Sequence, residues 1–164
     1  MKKYILTIDQ GTTSTRAILF DHKANTIGIY QMEFTQICPK SGYVEHNADE
    51  IYQTVLECIK NVIINASIEP EEIDSIAITN QRETTVAFGF DGHPLANAIC
   101  WQSRQSQKIC DDLIARGYED MIYQKTGLHI NPYFSASKIR YLIDNNQNIK
   151  DLYDAGKVLF GTMD

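Results

Sequence analysis

The pattern of apolar and polar positions divides the chain into strands first and a mixture of helices and strands later. Three early segments are rich in β-branched and aromatic residues and are separated by short polar turns: Tyr4 to Ile8, Arg16 to Phe20 and Ile27 to Phe34. Short turns between segments of this composition favour antiparallel pairing. The pattern therefore predicts an antiparallel three-stranded meander at the start of the fold.

A long amphipathic helix is predicted to follow the meander. Asn47, with Glu50 three residues later, resembles a capping box in which asparagine is the cap. Apolar residues then recur at helical spacing from Ile51 to Ile63. We expect this helix to cover one face of the sheet.

The next segments predict further strands. Pro70-Glu71-Glu72 is typical of a helical first turn, and it leads to a strand from Ser75 to Thr79 that we expect to be buried. The turn signal Asp91-Gly92 lies between two apolar segments, Val86 to Phe90 and Leu95 to Cys100. These segments predict a second hairpin.

Three helical patterns and a last strand complete the prediction. The helices cover roughly Ser103 to Arg116, Tyr118 to Lys125 and Phe134 to Asp144, and glycines end the first two. Val158-Leu159-Phe160 has the composition of a strand. The order of elements predicts an α/β fold with a mixed sheet and helices packed on it.

The C-terminal residues suggest a truncated chain. Gly161 to Asp164 supplies small and helix-capping residues, with no helix after them to cap. We therefore expect residues 1–164 to be an N-terminal domain that is incomplete at its C-terminal end. The alternative is a frayed tail after a last helix near Asn148 to Tyr153.

Composition and charge limit the function classes. The chain has 164 residues, of which 43% are hydrophobic and 22% charged, as expected of a domain with its own core. Its net charge of -6 argues against nucleic acid or an anionic membrane as the main partner, because both attract a basic surface. The apolar run from Tyr4 to Ile8 is too short for a signal peptide or a membrane span. We expect a cytoplasmic protein.

The cysteines and histidines do not form a recognisable metal or disulfide framework. The four cysteines contain no CxxC pair, which favours reduced thiols over disulfides or zinc. The four histidines lack the spacing that places two ligands on one helix face. We therefore assign no structural metal.

A first polar cluster follows the first strand. Asp9 ends that strand, Gly11 lets a ligand approach the backbone, and the residues from Thr12 to Thr15 add hydroxyls before Arg16. Hairpin amides and hydroxyls of this kind can hold phosphate oxygens, with Asp9 ordering Mg²⁺ directly or through water. The alternative is a solvated hairpin turn, which has a similar composition.

A second polar cluster follows the strand at Ile76-Ala77-Ile78. It consists of seven polar residues, Thr79 to Thr85, which is more hydrogen-bonding capacity than a turn requires. Within it Arg82 can donate and Glu83 can accept hydrogen bonds. The alternative for these two residues is an exposed ion pair on a hairpin.

Six segments carry a resemblance to a known family. The stretch DQGTTSTRAILFD resembles the phosphate hairpin of the FGGY carbohydrate kinases, within the actin, hexokinase and Hsp70 superfamily. Further segments, in the same order as in that family, are GYVEHNADEIY, ITNQRETTVAF, AICWQSR, KTGLHINPYFSASK and FGTMD. The resemblance covers essentially the whole chain and is greatest to the members that phosphorylate glycerol. It implies a ribonuclease H-like (actin-like ATPase) domain.

The resemblance also implies roles for individual residues. It implies that Thr12, Thr13 and Ser14 contact ATP and that Arg16 contacts the nucleotide phosphates, with Mg²⁺ as the accompanying ion. The implied glycerol pocket consists of Arg82, Glu83, Trp101 and Tyr133. A triol suits such residues, because its hydroxyls need donors and acceptors and its carbon chain packs on aromatic rings. For both aromatic residues the alternative is a place in the hydrophobic core.

The resemblance places the catalytic aspartate and the adenine pocket later in the chain than residue 164. We therefore expect the isolated chain to have no kinase turnover, and the longer parent to be a homodimer or homotetramer. Three residues depart from the family pattern beside the implied pocket: Gln105, Ser106 and Asn131. They leave open another sugar or polyol kinase of the family. A non-catalytic actin-like or Hsp70-like nucleotide-binding module is the other alternative, although it has no evident use for Arg82, Glu83 and Trp101.

Overall fold

The computed structural model of the chain describes residues 3–163, which form two compact units. The described part of the first unit comprises residues 3–36, 48–81 and 163. The second unit comprises residues 37–47 and 82–162. The first polar cluster lies in the first unit, whereas Arg82, Glu83, Trp101 and Tyr133 all lie in the second.

Most strands of the described residues come early in the chain, and most helices come late. The strands are Tyr4–Gln10 (β1), Ser14–Asp21 (β2), Thr26–Glu33 (β3), Glu45–His46 (β4), Ile73–Asn80 (β5), Val86–Gly89 (β6), Ala98–Ile99 (β7) and Val158–Gly161 (β8). The helices are Ala48–Ala66 (α1), Gln107–Ala115 (α2), Glu119–Thr126 (α3), Ser135–Asn145 (α4) and Gln147–Asp154 (α5), with a 3-10 turn at Pro70–Glu72. Within residues 3–163 no helix combines the length and the apolar character needed to cross a membrane.

The first unit is a four-stranded sheet in the order β3-β2-β1-β5, with α1 packed on one face. The predicted meander is confirmed, because β1 pairs antiparallel with β2, and β2 with β3. Strand β5 pairs parallel with β1, which makes the sheet mixed. Small and apolar side chains of the sheet and of α1 form the core: Leu6, Ala17, Leu19, Cys58 and Val62.

The expectation that Ser75 to Thr79 is buried is wrong. Strand β5 lies at the edge of the sheet, and Ile76 and Ile78 are each 59% exposed. Ile76 pairs with Leu6 and Ile78 pairs with Ile8 on β1, so both isoleucines lie on the face that carries α1. Helix α1 packs mainly against β2 and β3, which leaves the β5 side of that face uncovered. The apolar composition predicted the strand correctly but did not predict that its side chains are exposed.

The second unit contains two small sheets and helices α2 to α5. Its core joins strand and helix residues: Ala87, Ile99, Leu142, Ile143 and Ile149. The turn at Asp91-Gly92 forms, and isolated bridges join Thr85 to Ile99 and Phe88 to Pro94. The predicted second hairpin is confirmed, because the Leu95 N–H donates to the Ala87 carbonyl at 2.8 Å, and the two bridges join its arms. The prediction missed the longer-range partners of these strands, since β6 also pairs with β8 and β7 with β4.

Helix α2 begins four residues later than predicted, at Gln107. The segment before it makes tertiary bonds instead: Ser103 Oγ accepts the Val44 N–H at 3.1 Å, and Gln105 Nε2 donates to Glu45. Helices α3 and α4 agree with their predictions to within one residue at each end. Gly127 ends α3 in the left-handed conformation, with φ of 73°.

Candidate functional site

The turn between β1 and β2 is closed by its own backbone. Gly11 N–H donates to the Ser14 carbonyl at 2.9 Å. A Cβ atom at position 11 would lie 3.0 Å from the same carbonyl oxygen, closer than side chains normally approach. Glycine is therefore favoured here, because any side chain would push against the Ser14 carbonyl.

The tip of this hairpin is also held by residues that follow β3. The Thr13 carbonyl accepts the Phe34 N–H at 3.3 Å, and the Thr12 carbonyl accepts from Gln36 Nε2 at 3.1 Å. Thr13 itself is exposed, and Thr12 is half-buried. The hairpin is thus fixed in shape while the side chain at its tip stays accessible, which is the arrangement expected of a rigid anion-binding turn.

Asp9 and Arg16 lie opposite each other where β1 and β2 pair. Arg16 Nη1 is 3.2 Å from Asp9 Oδ2, and Arg16 Nε donates to Gln31 Oε1 at 2.9 Å. Both charged side chains are about 40% exposed, so solvent screens the ion pair. The same exposure leaves a carboxylate and a guanidinium available to an incoming ligand.

The accessible side chains of this hairpin fit a magnesium-bound nucleotide phosphate. The hydroxyls of Ser14 and Thr15 differ from the prediction, because both residues are buried and their hydroxyls are bonded to Gln31 and Thr54. Mg²⁺ is commonly held by one or two carboxylates together with substrate phosphates and water. Asp9 supplies one carboxylate, and no group of three or more histidine, cysteine, aspartate or glutamate residues within residues 3–163 could hold a metal ion by itself. A magnesium ion at this hairpin would therefore need phosphate oxygens or water in addition to Asp9.

Glu83, in the second unit, has an unusual backbone conformation. Its φ is 66°, in the left-handed region that residues other than glycine rarely adopt. One carboxylate oxygen, Oε2, accepts from both the Ser135 N–H at 2.7 Å and the Ser135 hydroxyl at 2.6 Å. Strain of this kind costs about 1–3 kcal/mol and is concentrated at functional sites. The carboxylate is therefore held in one place by a distant segment of the chain.

Trp101 and Tyr133 lie together beside this carboxylate's anchor. Their ring centroids are 6.0 Å apart in an edge-to-face arrangement, and the Trp101 N–H donates to Thr84 Oγ1 at 3.1 Å. Both residues are half-buried rather than part of the core, and they line a cavity of about 420 Å³. Glu83 and Ser135 line a second cavity of about 410 Å³, and the two cavities share Asn131. Thr84 and Ser135 thus connect Trp101, Tyr133 and Glu83 into one cluster.

Arg82 is exposed next to this cluster. Within residues 3–163 its guanidinium makes no hydrogen bond or ion pair, which differs from the exposed Arg82–Glu83 ion pair considered as an alternative. Its donors are available to a ligand.

Three residues of the cluster were not selected as site residues from the sequence, although they lie in segments that carry the family resemblance. Ser135 anchors Glu83, Thr84 anchors Trp101, and Lys138 is completely buried beneath Tyr133. Burial lowers the pKa of Lys138 from 10.5 to about 8, although the nearby Glu83 carboxylate acts in the opposite direction. The sequence predicts an exposed position for Lys138, the last residue of KTGLHINPYFSASK, because lysine is rarely fully buried.

The three departures from the family pattern differ in position. Ser106 is buried and shares a hydrogen bond of 2.8 Å with Ser137, and Gln105 bonds to Glu45. Asn131 lines the cavity beside Trp101, and its Oδ1 accepts the Tyr133 N–H at 2.8 Å. Asn131 is therefore the departure placed to influence a ligand.

Comparison with known protein families defines the class to which this chain belongs. The chain matches the FGGY family of carbohydrate kinases, N-terminal domain, over residues 4–162, and it belongs to this family. It is 53% identical over 164 residues to a glycerol kinase of Enterococcus casseliflavus, a match that covers 99% of this chain. It is 51% identical over 164 residues to a glycerol kinase of Desulforamulus reducens, again over 99% of this chain.

A solved structure agrees with these relatives. The crystal structure of Plasmodium falciparum glycerol kinase with ADP is 33% identical, with a TM-score of 0.88 over 98% of this chain. This similarity confirms the α/β, actin-like sugar-kinase fold expected from the sequence. The chain spans about a third of the length of these proteins: 32% of the Enterococcus protein, 33% of the Desulforamulus protein and 32% of the Plasmodium chain.

Proposed function

We propose that this chain is the polyol-binding and phosphate-binding part of a kinase that transfers the γ-phosphoryl group of MgATP to glycerol. The observation that carries the proposal is the cluster of Glu83, Trp101 and Tyr133, which combines a fixed carboxylate with half-buried aromatic rings. The proposal is supported by sequence identities of 51% and 53% to two glycerol kinases over 99% of this chain. The product would be sn-glycerol 3-phosphate.

The proposed reaction gives each cluster a separate task. A primary hydroxyl oxygen of glycerol bonds to the γ-phosphorus, the bond between that phosphorus and the β–γ bridging oxygen breaks, and ADP leaves. Arg82 would donate to a glycerol hydroxyl, and Glu83 would accept from one. Thr12, Thr13, Ser14 and Arg16 would hold nucleotide phosphates, and Asp9 would hold Mg²⁺ directly or through water. Such catalysis depends on positioning and charge neutralisation.

A base must accept the proton of the attacking hydroxyl, and we propose that this base is an aspartate outside these 164 residues. The isolated chain is therefore expected to have no kinase turnover. We further propose that the longer parent is cytoplasmic and forms a homodimer or homotetramer. Sustained ATP-dependent glycerol phosphorylation by the purified chain of 164 residues would contradict the missing-base proposal.

We propose that the native gene encodes a longer protein, and the test of the substrate uses that product. Steady-state phosphorylation is measured with MgATP against glycerol, a tetritol, a pentulose and gluconate, by ADP release and by product identification. The expected result is the highest kcat/KM for glycerol. A higher value for a sugar would favour another FGGY kinase, and turnover with none of these acceptors would favour the non-catalytic nucleotide-binding module.

The substitution Arg82→Ala tests the pocket itself. We expect the KM for glycerol to rise about tenfold or more, because a hydrogen bond from a charged donor contributes about 1.5–3 kcal/mol. Arg116→Ala is a matched control, since Arg116 is an exposed arginine of the same unit. An unchanged KM in Arg82→Ala would remove this residue from the pocket.

A further inference from the structure

A fully buried lysine lies beside the cluster of Glu83, Trp101 and Tyr133, which we call the polyol cluster after its proposed ligand. Lys138, in the first turns of α4, has no exposed surface, and it is the largest of the completely buried side chains among residues 3–163. A charged ammonium in such a place is expensive unless it is paired or hydrogen-bonded. Its partners therefore indicate what the charge is for.

The ammonium of Lys138 reaches two parts of the cluster. Nζ donates a hydrogen bond to the backbone carbonyl of Tyr133, and it lies 5.9 Å from the centroid of the Tyr133 ring. The Glu83 carboxylate is the main negative charge that favours its protonated form. Glu83 is itself bonded to Ser135, which lies between Tyr133 and Lys138 in the chain. The Lys138 ammonium thus contacts Tyr133 and attracts the carboxylate of Glu83.

The other groups around Lys138 are neutral near pH 7. The thiols of Cys100 and Cys110 lie near enough to influence the pKa of Lys138, and burial raises the pKa of both thiols from 9.0. The hydroxyl pair Ser106–Ser137 is also buried beside this part of α4. Glu83 is therefore the group whose charge matches that of Lys138.

We propose that Lys138 is a positioning residue of the polyol site. Its charged form fixes the Tyr133 carbonyl and attracts the Glu83 carboxylate, so that ring and carboxylate face the acceptor alcohol in one arrangement. The proposal rests on the proposed function, because it assigns Lys138 to the acceptor side of that site. A methionine would fill nearly the same volume without the charge, so packing alone does not explain a lysine here.

The first test uses Trp101, the only tryptophan of the chain, as a reporter. Burial lowers the pKa of Lys138 to about 8, so the ammonium loses its proton far below the usual 10.5. Emission of the 164-residue chain is recorded from pH 6.5 to 9.5, with far-UV circular dichroism to establish folding. We expect a change with a midpoint near pH 8, because the Tyr133 ring that touches Trp101 is released.

Two variants and a control make this test specific. Lys138→Met should lose the transition, and Lys138→Arg should lose it while keeping the emission of the wild type at pH 6.5. Lys150→Met replaces an exposed lysine on α5 and should keep the transition. If Lys138→Met does not fold, Lys138→Arg decides. A transition near pH 8 that survives in the folded Lys138 variants, or its absence from the wild type, overturns the proposal.

The second test measures catalysis by the longer gene product. Lys138→Met should raise the KM for glycerol about tenfold, the loss expected for one charge-assisted contact, with kcat and the KM for ATP changed less than about threefold. Lys138→Arg should recover most of the glycerol affinity. An unchanged glycerol KM in a wild-type background that phosphorylates glycerol overturns the role of Lys138 alone. Absence of polyol phosphorylation by the wild type overturns the proposed function and this role with it.

Discussion

The hairpin proposed to bind phosphate and the cluster proposed to bind the polyol are held together by contacts of different range. The hairpin consists of eight consecutive residues, Asp9 to Arg16, and the bond from Gly11 to Ser14 closes its turn, although Phe34 and Gln36 also hold its tip. The polyol cluster joins three separate segments through bonds that span 52 residues from Ser135 to Glu83 and 17 residues from Trp101 to Thr84. A local turn can be recognised from its own residues, whereas the geometry of the cluster depends on the whole second unit.

The two regions also treat charge differently. The Asp9–Arg16 pair of the hairpin is about 40% exposed, so water and ions weaken it. In the polyol cluster Lys138 is fully buried, and Glu83 is half-buried with one oxygen occupied by two donors. Loss of a partner costs more where solvent cannot replace it. Substitutions in the cluster should therefore have larger effects than substitutions in the hairpin.

The largest effect is expected for Glu83→Ala in the longer gene product. This change removes the acceptor proposed for glycerol and leaves the Ser135 N–H and hydroxyl without their partner. The KM for glycerol should rise on the order of a hundredfold, since charge-assisted hydrogen bonds contribute about 1.5–3 kcal/mol each. Steady-state kinetics at fixed MgATP measure the change.

Glu71→Ala is the control, because Glu71 is an exposed glutamate in the 3-10 turn. Its glycerol KM should equal that of the wild type. A rise of less than about threefold in Glu83→Ala would mean that the long-range cluster is no more sensitive than an exposed surface site.

The second prediction concerns the pH dependence of stability. The folded-state pKa of Lys138 is about 8, below the unfolded value of 10.5, so the unfolded chain binds more protons between these values. The free energy of unfolding should therefore rise with pH above about 8, by on the order of 2 kcal/mol at pH 9.5 relative to pH 7. Urea unfolding of the 164-residue chain at both pH values measures the gain.

Lys138→Met isolates this contribution, because other groups titrate alike in both proteins. The difference in free energy of unfolding between wild type and Lys138→Met should change by the same amount between pH 7 and 9.5. A constant difference would show that the ammonium is not desolvated in the folded chain, which would remove the main electrostatic contrast between cluster and hairpin.

These comparisons show which features the sequence could predict. The meander, α1 and the hairpin follow from nearby residues, because short turns and helical spacing act over a few positions. The pairing of β6 with β8 and of β4 with β7 depends on segments far apart in the chain, and the prediction missed both pairs. The burial of Lys138 depends on the same packing. Only the resemblance to the family selected Trp101 and Tyr133 from among the aromatic residues.

The third prediction tests the hairpin through Asp9→Asn. The amide keeps the shape of the side chain but loses the charge that pairs with Arg16 and that we propose for Mg²⁺. In the longer gene product the KM for MgATP should rise about tenfold, with an unchanged KM for glycerol. The stability of the 164-residue chain should change by less than about 1 kcal/mol, as is usual for exposed ion pairs. An equal rise in both KM values would contradict the separation of the two tasks.

The smallest effect is expected for Gly11→Ala. The added Cβ would lie 3.0 Å from the Ser14 carbonyl oxygen, so the closed turn must shift by a few tenths of an ångström. Gly28→Ala is the matched control in the same unit, since its Cβ would meet Val62 Cγ2 at 3.4 Å, an ordinary contact with a side chain. We expect Gly11→Ala to be less stable than Gly28→Ala by about 0.5–1 kcal/mol in urea unfolding.

The same pair of variants also separates shape from stability at the hairpin. If the hairpin binds phosphate through its fixed backbone, Gly11→Ala should raise the KM for MgATP of the longer gene product a few-fold, and Gly28→Ala should not. Equal nucleotide KM values in both variants would mean that the hydroxyls and charges of the hairpin bind the nucleotide without help from its backbone. The difference between the regions would then lie in their burial rather than in the rigidity of the turn.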